Sequence, residues 1–125
     1  MFFEKKVDYA SNVAPPTYPD GFDTEVFSFN ALETAWKNAS KKNDREHVTP
    51  FIRESGKFKT ANLENKTDLS KVRLTVDNIE DYQAIKELFE KLVDKNDFGL
   101  KEVMKVIKSN PNILQYNKMY ERNKK

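Results

Sequence analysis

The sequence predicts an α/β protein, and three observations carry that expectation. Val72, Leu74 and Val76 alternate with Arg73, Thr75 and Asp77, a period of two that buries one face of a strand and turns the polar set the other way. Directly behind it, Asn78 can cap a helix in which Ile79, Tyr82, Ile85, Phe89 and Leu92 form an apolar stripe, with Leu88 and Val93 on its shoulders. Strand, tight turn and helix in that order are the signature of an α/β layer. Third, 125 residues with 38% hydrophobic and 34% charged side chains fit one compact domain with a core. About four strands and four helices are expected in all.

In chain order, residues 7–10 can form a short strand. It runs into a polar loop, residues 11–22, that Pro15-Pro16, Pro19 and Asp20-Gly21 make stiff. Residues 24–29 have the β-branched and aromatic content of a strand, and Asn30 with Glu33 resembles a capping box. The helix over residues 31–40 then sets Leu32, Ala35, Trp36 and Ala39 on one face, the expected core face. Asp44 can cap a short helix through Arg45, Glu46, His47 and Val48, and Thr49-Pro50 can restart it as cap and first helical residue. Gly56 ends that segment, and residues 57–63 read as a strand of poor alternation. Residues 97–108 read as a helix with Leu100, Val103, Met104 and Ile107 on one side, ended by Asn110-Pro111.

Composition excludes several chemistries. Without cysteine there is no disulfide framework, thiolate nucleophile or Cys-ligated metal site, and one histidine rules out a His-rich one. No apolar run approaches the roughly 20 residues of a membrane span, and charge follows Phe2-Phe3 too soon for a signal peptide, so a soluble cytoplasmic protein is expected. The basic residues are mostly Lys, alternate with acids and leave a formal net charge of +2, which gives nucleic-acid binding little support. Residues 118–125 read as a basic, solvated tail after a domain spanning 1–117.

Three clusters can carry chemistry. Asp77 stands at the carboxyl end of the best strand, where open α/β sheets place their ligands, and can help hold a hard cation such as Mg²⁺; the alternative is that it caps the helix with Asn78. Asp20, Asp23 and Glu25 beside Tyr18 and Pro19 form a preorganised polar rim, with Asp23 and Glu25 on one strand face, or else a solvated surface. Arg45, Glu46 and His47 offer a guanidinium, a carboxylate and an imidazole within one turn, without a nucleophile or phosphate-cradling loop to define a reaction.

Four segments read together as motifs: Asp8-Tyr9-Ala10-Ser11-Asn12; the run from Pro16-Thr17-Tyr18-Pro19-Asp20-Gly21 to Ser28; Arg45-Glu46-His47-Val48-Thr49-Pro50-Phe51-Ile52; and Val72-Arg73-Leu74-Thr75-Val76-Asp77-Asn78-Ile79-Glu80-Asp81-Tyr82. They resemble the carboxyl-terminal half of the cytidylyltransferases of surface-polysaccharide synthesis, above all the spore-coat type, related to the enzymes that make CMP-sialic acid and CMP-3-deoxy-octulosonate. The resemblance implies the carboxyl-terminal part of a nucleotide-diphospho-sugar-transferase fold, a Rossmann-like mixed sheet flanked by helices. It also implies a Mg²⁺-dependent transfer of CMP from CTP to a sugar or sugar acid. Asp77 matches a metal-ligand position of that family, whereas Tyr18, Asp23, Glu25, Arg45, Glu46 and His47 would line the sugar side of the cleft or support a dimer contact.

Family members open with a Gly-Ser and Arg-Leu-Pro-Gly-Lys type loop that grips the triphosphate, and nothing in these 125 residues resembles it. Ile79 also replaces a common proline. The expectation is therefore a fragment or one part of a split enzyme, inactive alone, that forms a homo-oligomer or needs an amino-terminal half. The alternative is a non-catalytic dimerisation or interaction module derived from that family.

Overall fold

The computed structural model describes residues 1–92 and 97–122. The class is mixed α/β. Its elements in chain order are α1 (Phe2–Lys5), β1 (Tyr9–Ser11), β2 (Glu25–Phe27), α2 (Phe29–Asn38), α3 (Lys42–His47), α4 (Pro50–Glu54), β3 (Thr60–Asn62), α5 (Ile79–Glu90), α6 (Leu100–Ser109) and a 3₁₀ turn (Pro111–Gln115). They divide into two compact units: Met1–Thr17 with Asp23–Thr67, and Tyr18–Phe22 with Asp68–Lys125. Among the described residues no helix is long and apolar enough to cross a membrane.

The first unit is a three-stranded sheet, order β2-β1-β3, flanked by helices. All three residues of β1 are buried, as befits the central strand. It runs antiparallel to β2 and parallel to β3, a mixed sheet. Tyr9, Ala31, Ala35 and Ile52 form the core, with Phe27, Phe51 and Phe58 packed against it. Ala31 and Ala35, one turn apart, let α2 lie close to its neighbours.

That packing corrects two expectations. The helix begins at Phe29 and is capped by Ser28, whose Oγ accepts the Ala31 amide at 3.1 Å, so the box expected at Asn30 is displaced by an earlier cap. Trp36, expected in the core, is 63% exposed, because the small alanines occupy the buried side. The expected interruption between α3 and α4 is present at Val48, which has φ 65°, although Lys41 rather than Asp44 takes the cap position of α3.

In the second unit Ala84, Leu88, Leu92, Val103, Ile107 and Ile113 form the core, with Val72 and Leu74 against it. The side chains expected on one face of α6 behave as expected: Val103 and Ile107 are buried, Leu100 and Met104 half-buried. On α5 the buried line is Asp81, Ala84 and Leu88, continued by Leu92, whereas Ile79, Tyr82 and Phe89 are exposed. The helix is thus rotated from its expected phase to bring Asp81 inside. Val93, expected on a shoulder, lies outside the described residues.

The expected strand over 72–76 is not one. It is an extended segment making a single parallel bridge to Asp20, through Asp20 N–H to the Val72 carbonyl at 2.9 Å and Leu74 N–H to the Asp20 carbonyl at 2.8 Å. Val76 is exposed beyond it. Gly21, φ 101°, makes the crossing possible: a Cβ there would sit 2.6 Å from the Leu74 carbonyl oxygen. In the described part of the basic tail Lys118, Met119 and Glu121 are exposed, while Tyr120 and Arg122 are half-buried and hydrogen-bonded. Tyr120 OH donates to Glu80 at 3.0 Å, and Arg122 Nη1 donates to the Tyr18 carbonyl at 3.2 Å.

Candidate functional site

Strand register builds a polar face in the first unit. Ser11 stands opposite both Glu25 and Asn62, and Tyr9 opposite both Phe27 and Thr60. Because side chains alternate along a strand, these residues lie on one side of the sheet. Thr49, the cap position of α4, and Arg53, one turn later, reach the same carboxylate from above: Thr49 Oγ1 donates to Glu25 at 3.1 and 3.2 Å, and Arg53 Nη1 lies 3.9 Å from Glu25 Oε1. The Tyr9 hydroxyl donates to Glu25 as well. Burial, and then the hydrogen bond to Glu25, pushes the Tyr9 hydroxyl up to about 12.

A cavity of about 220 Å³ opens on this face, lined by Tyr9, Ser11, Arg53, Thr60 and Asn62 among others. Asn62 also ties the proline loop to β3, accepting the Ala14 amide and donating to the Pro15 carbonyl, both at 3.0 Å. Asn12 accepts the Thr24 amide at 2.8 Å. The stiffness expected of the loop therefore has a second source in these amide clamps. Hydroxyls, a carboxylate that keeps 30% of its side chain exposed and a guanidinium at ion-pair limit can bind a small polar ligand; nothing in the set is an activated nucleophile.

The other expected site residues are distributed more widely. Asp23 is exposed just ahead of β2. Arg45 turns to α2, its Nη1 donating to the Trp36 carbonyl at 2.8 Å, while Glu46 and His47 are exposed on α3. Tyr18 is half-buried in the second unit. Tyr9, Thr49 and Arg53 were not among the expected site residues. Their signal was available only in part, as the i, i+4 spacing of Thr49 and Arg53.

In the second unit, Asp81 is the polar centre. It is fully buried and accepts from Arg73 Nε and Nη2, both at 2.9 Å, from Asn117 Nδ2 at 2.9 Å, and from the Asp77 and Asn78 amides at 3.2 Å. The Asn78 contact is the reciprocal half of a capping box. Burial acts to raise the Asp81 pKa, but Arg73, Asn117 and the Asp77 amide together outweigh it and hold the carboxyl well below its usual range. Arg73 also binds Asp77 at 2.9 Å and Asp20 at 3.2 Å. Asp77 remains 69% exposed.

Among the described residues no group of three or more His, Asp or Glu side chains is arranged to hold a metal ion. Asp77 offers one exposed carboxylate, with one oxygen on Arg73. That fits a hard cation held by a single protein carboxylate and by substrate phosphates, with the cation competing against Arg73 for the oxygen.

Comparison with known proteins adds a frame. A cytidylyltransferase from Leptospira borgpetersenii serovar Hardjo-bovis superposes with a TM-score of 0.85 and 30% identity, covering 96% of this chain and 50% of the other. This chain is built like part of a cytidylyltransferase. An uncharacterized protein of Methanocaldococcus jannaschii is 41% identical over 100 residues, which are 78% of this chain and 41% of that protein. No protein-family model matches. The chain spans half or less of the length of these cytidylyltransferase-like and uncharacterized relatives.

Proposed function

We propose that the chain works as the carboxyl-terminal part of a cytidylyltransferase that moves CMP from CTP onto a sugar or sugar acid for surface-polysaccharide synthesis. The supporting observation is the likeness to a solved cytidylyltransferase over 96% of this chain and only 50% of that one. In this reading the triphosphate is gripped by polypeptide beyond these 125 residues, either in the same chain or in a partner. The face around Glu25, with Tyr9, Thr49 and Arg53, holds the sugar. Arg53 supplies positive charge, and the hydroxyls match a polyol. Asp23, Arg45, Glu46 and His47, in the same unit, belong to its surroundings, and Tyr18 keeps only the sugar-side role that the family resemblance implies. Asp77 is the ligand this chain contributes to Mg²⁺, whose chemistry is to neutralise phosphate charge and orient the leaving pyrophosphate.

Calorimetric titration with CTP and Mg²⁺, on this chain alone and together with the remaining half of a related cytidylyltransferase, tests the reading. Binding and CMP transfer should appear only in the pair, and Asp77→Ala should weaken the Mg²⁺ dependence of both. A pair that binds CTP with Mg²⁺ dependence unaltered by Asp77→Ala would remove Asp77 from the site. A second reading, a non-catalytic interaction module, is favoured by the exposed aromatic residues Phe29 and Trp36. It predicts assembly of the pair without transfer.

A further inference from the structure

The second unit holds a cavity of about 250 Å³ that involves neither Glu25 nor Asp77. Drug-sized pockets begin near ~300 Å³, so this one fits a compact metabolite. One wall is the extended segment at Lys71 and Arg73, and the other is the chain from Leu114 to Tyr120. No acidic residue lines it, and its three cations are not equivalent. Arg73 is already committed: its Nε and Nη2 donate to Asp81, its Nη2 to Asp77 as well, and its Nη1 to Asp20. The ring of Tyr120 covers that guanidinium at 5.6 Å, which makes Arg73 a fixed wall rather than a ligand. Lys71 and Lys118 are exposed, and among the described residues neither is held in an ion pair. Asp68, whose field reaches Lys71, has its carboxylate turned onto the Ser70 amide at 2.9 Å.

We propose that this cavity binds a small phosphomonoester that also carries hydroxyl groups, a sugar phosphate in chemical class. A phosphomonoester bears a charge of about −1.5 to −2 at neutral pH, which two uncommitted lysines match. Lysine binds phosphate as a compact point charge on a flexible stem, so Lys71 and Lys118 can close on one phosphate from opposite walls. The rest of the lining suits the carrier rather than the phosphate. Asn117 is buried and its Nδ2 is committed to the Arg73 carbonyl and Asp81, so its oxygen is what it offers a ligand, an acceptor for a hydroxyl. Gln115 adds an amide that pairs with hydroxyls, while Leu114 and the Tyr120 ring pack against a carbon skeleton. A bare phosphate would leave all four unused. The cavity draws on neither CTP, Mg²⁺ nor any transfer reaction.

Titration of the ¹⁵N-labelled full chain with ribose 5-phosphate, in EDTA so that no metal contributes, tests the proposal through backbone amide shifts. Saturable shifts should appear at residues 71–73 and 114–120, and the affinity should fall as sodium chloride screens the exposed lysines. Ribose 5-phosphate should bind at least about fivefold more tightly than inorganic phosphate, because only the ester uses Asn117 and Gln115. Lys71→Gln combined with Lys118→Gln, at exposed positions and with folding checked by circular dichroism, should weaken binding at least about tenfold. The absence of saturable shifts at those residues overturns the proposal. So does a double variant of unchanged affinity, or inorganic phosphate binding as tightly as the ester, which would reduce the cavity to a site for the free anion.

Discussion

Each unit is organised around one carboxylate, and the two are treated in opposite ways. Asp81 is fully buried, and its oxygens are taken up by a bidentate guanidinium, an amide side chain and backbone N–H groups. Glu25 keeps part of its side chain in solvent and is met by two hydroxyls and by an Arg53 at the limit of ion pairing. A buried charge with all its donors supplied fixes structure and has no capacity left for a ligand. A half-open one surrounded by hydroxyls retains that capacity. The difference separates scaffold from candidate site better than residue type does.

The sharpest way to break the comparison is Asp81→Ala. It leaves the half-buried Arg73 without its main partner; breaking a buried pair costs about 3–5 kcal/mol, and with Asp20 and Asp77 still on Arg73 the loss should fall at the lower end of that range. Urea unfolding followed by hydrogen exchange in residues 68–122 should report it. The same carboxylate predicts acid sensitivity. Its folded pKa lies below its unfolded value near ~3.9, so its contribution is complete above that value and is lost as pH falls toward the folded pKa. Asp81→Asn should remove that acid limb.

Next in size is Gly21→Ala, which places a Cβ against the Leu74 carbonyl in a backbone region other residues avoid, at a cost on the order of 1–3 kcal/mol. Thermal melting would measure it.

Tyr9→Phe removes one donor from Glu25 and should cost about 1 kcal/mol. Tyr9 also sharpens the contrast at the alkaline end. Its folded pKa of about 12 exceeds the unfolded value, so its stabilisation is present below pH ~10 and is lost as pH rises through the folded value. Hydrogen bonds to Glu87 and Glu80 also raise Tyr116 and Tyr120, so ultraviolet titration should show several late tyrosines, one fewer of them in Tyr9→Phe. Arg53→Gln, which touches only a long and partly exposed ion pair, should change stability by less than about 0.5 kcal/mol. An Arg53→Gln variant as destabilised as Asp81→Ala would erase the distinction between the two centres.

What the sequence disclosed depended on whether local pattern was sufficient. On α6 the apolar residues occupy one face, and their spacing gave that face directly. On α5 apolar residues cover more than half of the surface, so periodicity could not choose the phase. The choice is made by Asp81 reaching Asn117, 36 residues away. Alternation over 72–76 correctly turned Val72 and Leu74 toward the core, but a strand needs a ladder, and among the described residues only Asp20 bridges it. Asp23 and Glu25 stood out by type and spacing. That Glu25 and Asn62 share a face, with Ser11 between them, depends on pairing of Ser11 with residues 14 and 51 positions away, which no local pattern encodes. Trp36 was misplaced because a stripe with large and small residues can bury either, and here the alanines win.

The chain leaves the first unit for only five residues, Tyr18–Phe22, and then returns. That excursion supplies Asp20 to Arg73 and the glycine beneath Leu74. Dissection at a single point is therefore the wrong way to isolate either unit. A polypeptide starting at Asp68 would arrive without the short stretch its own arginine is built around, and one ending at Thr67 would carry that stretch with nothing to hold it. Gene fusions or insertions intended to separate the two are better tolerated in residues 63–67 than anywhere within 18–22.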